Sequence, residues 1–399
     1  LATIAGTQVG VTIAPTDLAE ATTVLEAAAA EKATVAFAGG GTELGFGYPP
    51  ERVDLLLRTE HLSRVVEYAP ADMVVEVEAG MPLAALQKIL AVNRQRLALD
   101  APHAELASLG GLVACNTFGP RRARFGSLRD LIVGVSLIRA DGSRARGGGK
   151  VVKNVAGFDL PKIAVGSLGT LGMIATATFR LHPLPETARL CRVEHCSGKN
   201  LRQLASGILE KRLEPAALLA VAVGRGYDFL ALFEGFSAGA AEQTERFLML
   251  ASDLGLDGSE CEDASLLDEA DEDVRTHGDL RVRLAVPPAA LERLESEALE
   301  PLIRAFPAAK ASLYPSLGIA FFSTYAVDLE AAIASLGRAR TAVEALGGNA
   351  VLLDARSAEL REAVDVFGTV PPSFSLMKRL KERFDPDRRL NRGRFLGGI

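Results

Sequence analysis

The stretch "VAFAGGGTELGFG", residues 35–47, decides how this chain is read. A short β-rich run breaks into three consecutive glycines and a threonine, and two more glycines follow closely. Glycine loses more conformational freedom on folding than any other residue, so three in a row weaken any regular element. Bare backbone at this point implies that something approaches it closely.

The flanks are ordered. Thr16 or Asp17 caps a helix, "DLAEATTVLEAAAAEK", with Glu20 three residues after Asp17 in the manner of a capping box. "ATVAF" reads as a buried strand running into the glycines, and "VDLLL" (53–57) as another. "SRVVEY" and "MVVEVEAG" flank Ala69-Pro70-Ala71-Asp72, a hairpin turn. "PLAALQKILAVN" places Pro82 in the first turn of an amphipathic helix. The first lobe is therefore α+β with small sheets.

Two further glycine-dense regions follow, "SLGGLVACNTFGPRRARFGSLRD" (108–130) and "VGSLGTLGMIATATFRLHPLPE" (165–186). A P-loop requires G-x-x-x-x-G-K-[ST], and Gly149-Lys150 fails because Val151 follows. A dinucleotide fingerprint requires G-x-G-x-x-G. Leu44 falls three residues after Gly41, and Gly166, Gly169 and Gly172 have a different spacing. Three glycine turns over one lobe fit a long anionic ligand threaded between sub-sheets. Any one of them alone reads as a tight turn.

Composition excludes several classes. With 399 residues the chain is long enough for two or more lobes, and 48% hydrophobic against 24% charged residues is an ordinary globular balance. A net charge of −6 argues against nucleic acid or an anionic membrane as a general partner. No apolar run is long enough to span a membrane, and "LATIAGTQVGVTIAPTD" has no basic leader region, so a soluble cytoplasmic protein is expected. Cys115, Cys191, Cys196 and Cys261 are too scattered for a disulfide framework. Cys191, His195 and Cys196 tempt a zinc reading, but no second Cys/His pair follows, so no metal site is expected. The acidic tract 257–274 reads as a solvated loop and helix face, and "FDPDRR" ends a basic helix near the C-terminus.

The order "AGGGT", "SLGGLVACNTFG…FGSLRD", "KNVAGFDL…VGSLGTLGMI" and "FDP…LNRGRF" resembles FAD-binding oxidoreductases of the vanillyl-alcohol-oxidase, or PCMH, type. "GGLVAC…GPRR…SLRDLIVGV" and "GGKVVKNVAGFDL" are similar to the FAD-binding E subunits of bacterial glycolate oxidases. The resemblance covers residues 34–186 and the last twenty, and is loose in between. It implies an α+β fold, with a PCMH-type FAD-binding domain of two α/β subdomains at 1–186 and an α+β cap domain at 187–371. Residues 372–399 would return to the FAD domain. Gly39, Gly40, Gly41 and Thr42 would donate N–H groups to the pyrophosphate. Leu109, Gly110, Gly111, Ala114 and Asn116, with Gly119 nearby, would line the ribityl chain and flavin. Gly169, Gly172 and Ile174 would pass the adenine end, and Asn391 would lie near the flavin. A Cβ at these glycines would fill the volume of a phosphate oxygen. Some members tether FAD through a histidine near the first turn. "GGGTELGFG" has none and His61 lies well past it, so the resemblance implies non-covalent FAD, with Cys115 a buried packing residue.

The catalytic residues stay unassigned. Related catalytic subunits carry an H-x-G-D-type motif in the cap. The five histidines here are His61, His103, His182, His195 and His277, and the corresponding stretch, "ALGGNAVLLDARS", has no such ligand. One or two of Arg121, Arg122, Arg124 and Arg129 would face the pyrophosphate or a substrate carboxylate, or else form a solvated or subunit-facing surface, while Asp130 braces the turn. If the isolated chain proves active, Tyr314, Tyr325 and Asp354 are the first candidates for a base. The resemblance implies an FAD subunit of a 2-hydroxy-acid oxidising complex, beside a catalytic flavoprotein subunit and an iron–sulfur subunit. The alternatives are a scaffold with structural FAD and the flavin subunit of a molybdenum hydroxylase.

Overall fold

The computed structural model describes residues 3–149, 159–325 and 328–399. Lys150, Val151 and all of "KNVAGFDL" but Asp159 and Leu160 lie outside the described residues. The chain divides into two compact units. The first contains Leu1–Phe118, Gly126–Leu184 and Val370–Ile399, and the second contains Gly119–Phe125 and Pro185–Thr369. Gly119–Phe125 falls in the second unit because its arginines are held there. Arg121 pairs with Glu234 at 3.0 Å and Asp268 at 2.6 Å, and Arg124 pairs with Glu214 at 2.9 Å.

In the first unit, a four-stranded sheet has the order Thr3–Ile4, Thr7–Ile13, Val53–Arg58, Val35–Ala38, its last three strands parallel. Helix Leu18–Ala30 packs Ala21, Leu25 and Ala28 onto it, together with Val35, Leu55 and Leu57. This spacing of three to four residues puts one stripe of the helix toward the sheet. Asp17 caps the helix, accepting from the N–H groups of Ala19 and Glu20, and the Glu20 carboxylate accepts from Thr16.

A five-stranded antiparallel sheet has the order Val65–Ala69, Val74–Glu78, Met173–Arg180, Ile132–Ile138, Arg144–Gly148. Val75, Val77, Val135, Leu137, Ala177 and Phe179 alternate onto one face and pack with helices Leu83–Ala91 and Leu109–Cys115. The turn at 69–72 joins the first two strands, with Met73 left-handed at φ 53. Helix Leu109–Cys115 occupies the second glycine-dense region, which the sequence presents as a turn. Ser108 caps it, and Asn116 ends it at φ 54.

The second unit is built on an eight-stranded antiparallel sheet. Its order is Gly258–Cys261, Thr187–Cys196, Gly226–Gly235, Ala217–Val223, Lys310–Tyr314, Ile319–Thr324, Leu280–Ala285, Asn349–Ala355. The acidic tract is more than a solvated face. Asp271, on helix Leu266–Thr276, is buried, accepts from the Tyr314 hydroxyl at 2.7 and 2.8 Å, and pairs with Arg275 at 3.3 Å.

Candidate functional site

Strand Val35–Ala38 delivers the first glycine turn to a cavity in the first unit. Most of the residues picked out from sequence line it: Gly39, Gly40, Gly41 and Thr42 on one wall, Gly110, Gly111 and Ala114 on another, Gly169, Gly172 and Ile174 on a third, with Asn391 beside them. Leu109, Asn116 and Gly119 lie off the cavity. Leu109 is fully buried in the core of the five-stranded sheet, because it opens a helix whose apolar side faces that core. Asn116 is the helix C-cap, and Gly119 belongs to the second unit.

The glycines are required for a reason different from the expected one. A Cβ on Gly39 would come within 1.8 Å of the Ser108 hydroxyl, and one on Gly40 within 1.7 Å of the Leu106 carbonyl oxygen. The bare backbone lets the turn close on segment 106–108 of the same unit, so protein fills the space first assigned to phosphate. Gly41 sits at φ +79, where its Cβ would have room but its backbone favours glycine. Gly110 approaches Ala79, whose Cβ would lie 2.6 Å from an added Cβ.

Hydrogen bonding separates the walls. Among the described residues, no protein acceptor takes the N–H groups of Gly39, Gly40, Gly41 or Thr42. At the start of helix Leu109–Cys115, Leu109 donates to the Met81 carbonyl, Gly110 to the Ala79 carbonyl and Gly111 to the Ser108 hydroxyl. The donors left for an anion are those of the first turn. Asn391 adds an acceptor. It is 3% exposed, its Nδ2 donates to the Leu168 carbonyl at 2.8 Å, and its Oδ1 has no protein partner. A run of free N–H groups and an orphaned buried carbonyl oxygen on one cavity fit a ligand carrying a pyrophosphate and hydrogen-bond donors.

Sequence reasoning passed over several lining residues: Phe37, Thr59, Ala79, Ser108, Leu168, Met173 and Glu43. Cys115, read as packing, also lines the cavity, and burial pushes its thiol above the ordinary value. Arg394 lines it too and closes the loop after the first turn, donating to the carbonyls of Leu44 at 2.9 Å and Phe46 at 2.5 Å. Its place in the terminal "NRGR" was the available signal. Arg392, in the same terminal stretch, pairs with Glu51 at 2.6 Å.

Other candidates lie elsewhere. Asp130 accepts from the Ser127 N–H and hydroxyl, both at 2.8 Å, and braces its turn. Cys191 and Cys196 are buried on strand Thr187–Cys196 while His195 is exposed, and no metal-holding group of His, Cys, Asp or Glu occurs among the described residues. Asp354 lies between Arg281, at 2.6 Å, and Arg361; Tyr325 meets the His277 ring edge-on at 4.4 Å.

Residues 9–148 match the FAD binding domain family. The glycolate oxidase subunit GlcE of Escherichia coli is 34% identical over 47% of this chain and 52% of its own length. The glycolate oxidase subunit GlcD of Bacillus subtilis is 30% identical over 52% of this chain and 44% of its own. The chain thus spans about half the length of these relatives. An FAD-linked oxidoreductase of Mycobacterium tuberculosis is 26% identical over 95% of this chain and 89% of its own. In fold, an alkyldihydroxyacetonephosphate synthase superposes with a TM-score of 0.73 at 16% identity, covering 95% of this chain and 76% of that one. The fold is mixed α+β and matches that of a PCMH-type FAD-binding domain with a cap. Among the described residues, no helix is long and apolar enough to cross a membrane.

Proposed function

We propose that this chain is the FAD-binding subunit of a glycolate oxidase, or related 2-hydroxy-acid dehydrogenase, complex. The observation that carries the reading is the first glycine turn, whose four N–H groups line a cavity and have no protein acceptor among the described residues. Gly39 to Thr42 hold the pyrophosphate, Gly110, Gly111 and Ala114 flank the ribityl chain and flavin, and Gly169, Gly172 and Ile174 flank the adenine end. FAD supplies an acceptor for hydride and electrons, while the protein supplies orientation and electrostatics. The attachment is non-covalent, since no histidine lies in the first turn and the Cys115 thiol is held protonated by burial.

The partners are a catalytic flavoprotein subunit and an iron–sulfur subunit, a reading supported by the likeness to GlcE and GlcD. The first candidates for a base are already engaged. Tyr314 donates to Asp271, and Asp354 is paired with two arginines. General-base help is typically worth ~10²–10⁴-fold, so the isolated chain should turn over glycolate very slowly. The test is flavin absorbance after adding glycolate, with and without the partner subunits. Bleaching in the complex and little change alone supports the reading. Reduction of the isolated chain at ordinary enzyme rates refutes the accessory role. A complex that turns over while this flavin stays oxidised favours structural FAD. Acid precipitation should leave the flavin in the supernatant.

A further inference from the structure

Lys381 is an unusual residue for the interior of the FAD unit. It lies on helix Phe374–Phe384, is 2% exposed, and donates all three ammonium protons: to Asp385 Oδ2 at 2.7 Å, the Thr170 carbonyl at 2.9 Å and the Leu390 carbonyl at 2.8 Å. Asp385, fully buried, also accepts from the N–H groups of Arg389 and Leu390. Burial pushes the Lys381 ammonium below its ordinary range, against the Asp385 carboxylate beside it. A buried ion pair is weak evidence of net stabilisation, because desolvating two charges opposes their attraction. Its geometry is more informative than its energy.

The two carbonyls that Lys381 holds belong to segments meeting at the cavity. Thr170 sits between Gly169 and Gly172, both of which line it. Leu390 precedes Asn391, which is left-handed at φ 44 and fixed by its N–H to the Val35 carbonyl. Asn391 Nδ2 then reaches the Leu168 carbonyl, leaving Oδ1 buried and unpartnered on the lining. An unsatisfied buried acceptor is unfavourable by about 1–3 kcal/mol, so its retention calls for a donor.

We propose that Lys381 is a positioning residue for the flavin nucleotide. By clamping residue 170 to residue 390, it sets the Asn391 carboxamide so that Oδ1 accepts from an N–H or O–H of the bound nucleotide. The inference rests on the FAD reading above. It assigns the work to one acceptor atom and one buried cation that never touches the ligand.

The experiment is a double-mutant cycle on the full chain, stripped of flavin and titrated with FAD. Fluorescence quenching gives the Kd, and visible circular dichroism reports the environment of the bound flavin. K381M and N391L are each expected to weaken FAD about tenfold and to change the dichroism alike. The double variant should be no weaker than either single one, since Lys381 acts through Asn391. If K381M does not fold, K381R replaces it in the cycle, keeping the charge while losing the three-point ammonium geometry. Additive losses overturn the proposal, as does a lysine variant whose folded fraction keeps the wild-type Kd and dichroism. Wild-type protein that fails to bind FAD refutes the FAD reading itself, a result distinct from either.

Discussion

Two glycine-rich walls face the same cavity, and they use glycine differently. In the first turn, Gly39 and Gly40 press against Ser108 and the Leu106 carbonyl, while the turn's N–H groups stay without acceptors. In helix Leu109–Cys115, Gly110 presses against Ala79, and its N–H bonds to the carbonyl there. Both walls need a missing Cβ for the protein's own close packing. Only the first keeps donors for an anion. Glycine content marks where backbones approach each other, and donor accounting identifies the wall that meets a ligand.

The largest effect is expected from G40A, because its new Cβ meets a backbone carbonyl that cannot rotate away. The turn must shift, and its N–H groups move with it. FAD binding should fall more than tenfold, measured by titration of stripped protein. Wild-type affinity in G40A would break the comparison at its first wall.

G110A should act on the fold instead. Overpacking of this kind typically destabilises by ~1–3 kcal/mol. A lower melting temperature is expected for the stripped protein, with FAD affinity of the folded fraction within about threefold of wild type. An unchanged melting temperature combined with lost FAD would reverse the roles of the two walls.

The smallest effect lies behind the first turn. Asp54 accepts from the Thr34 N–H and hydroxyl, both at 2.8 Å, and pairs with Arg52 at 2.6 Å, fixing the entry to strand Val35–Ala38. Burial works to raise its carboxyl, but the Thr34 bonds and Arg52 hold it below the ordinary 3.8. The folded state therefore binds fewer protons than the unfolded one just below that value. The stabilisation is complete above the ordinary carboxylate range and is lost as pH falls through the lowered folded value. D54N should flatten the fall of melting temperature on acidification in that window. An unchanged acid slope would remove Asp54 as an anchor of the turn.

The first turn was legible because strand and glycines adjoin in the chain, and the hairpin at 69–72 because proline and aspartate mark it. Helix Leu109–Cys115 was not. Consecutive Gly110 and Gly111 oppose helix by propensity, and contact with Ala79 overrides that preference. The burial of Lys381 and Asp385, four apart at the end of a basic helix, was not legible, since it depends on a segment two hundred residues away. Asp271 was hidden in its acidic tract for the same reason. The Arg121 cluster carried a choice between ligand and surface, and carboxylates of the second unit take Arg121 and Arg124.

The closing segment has a consequence for how the chain is made. Val35 donates to the Arg389 carbonyl, Asn391 returns a bond to Val35, and the Arg389 side chain reaches the carbonyls of Ala33 and Ala140. All but the bond to Ala140 join residues more than 350 positions apart. On the ribosome, the first 184 residues emerge without the strand-like neighbour that seats Asn391, and the whole second unit is synthesised before it arrives. At ~5–20 residues per second that interval lasts roughly ten to forty seconds. During translation the nascent cavity lacks its Asn391 wall. That wall is in place only after residues 370–399 have followed the second unit.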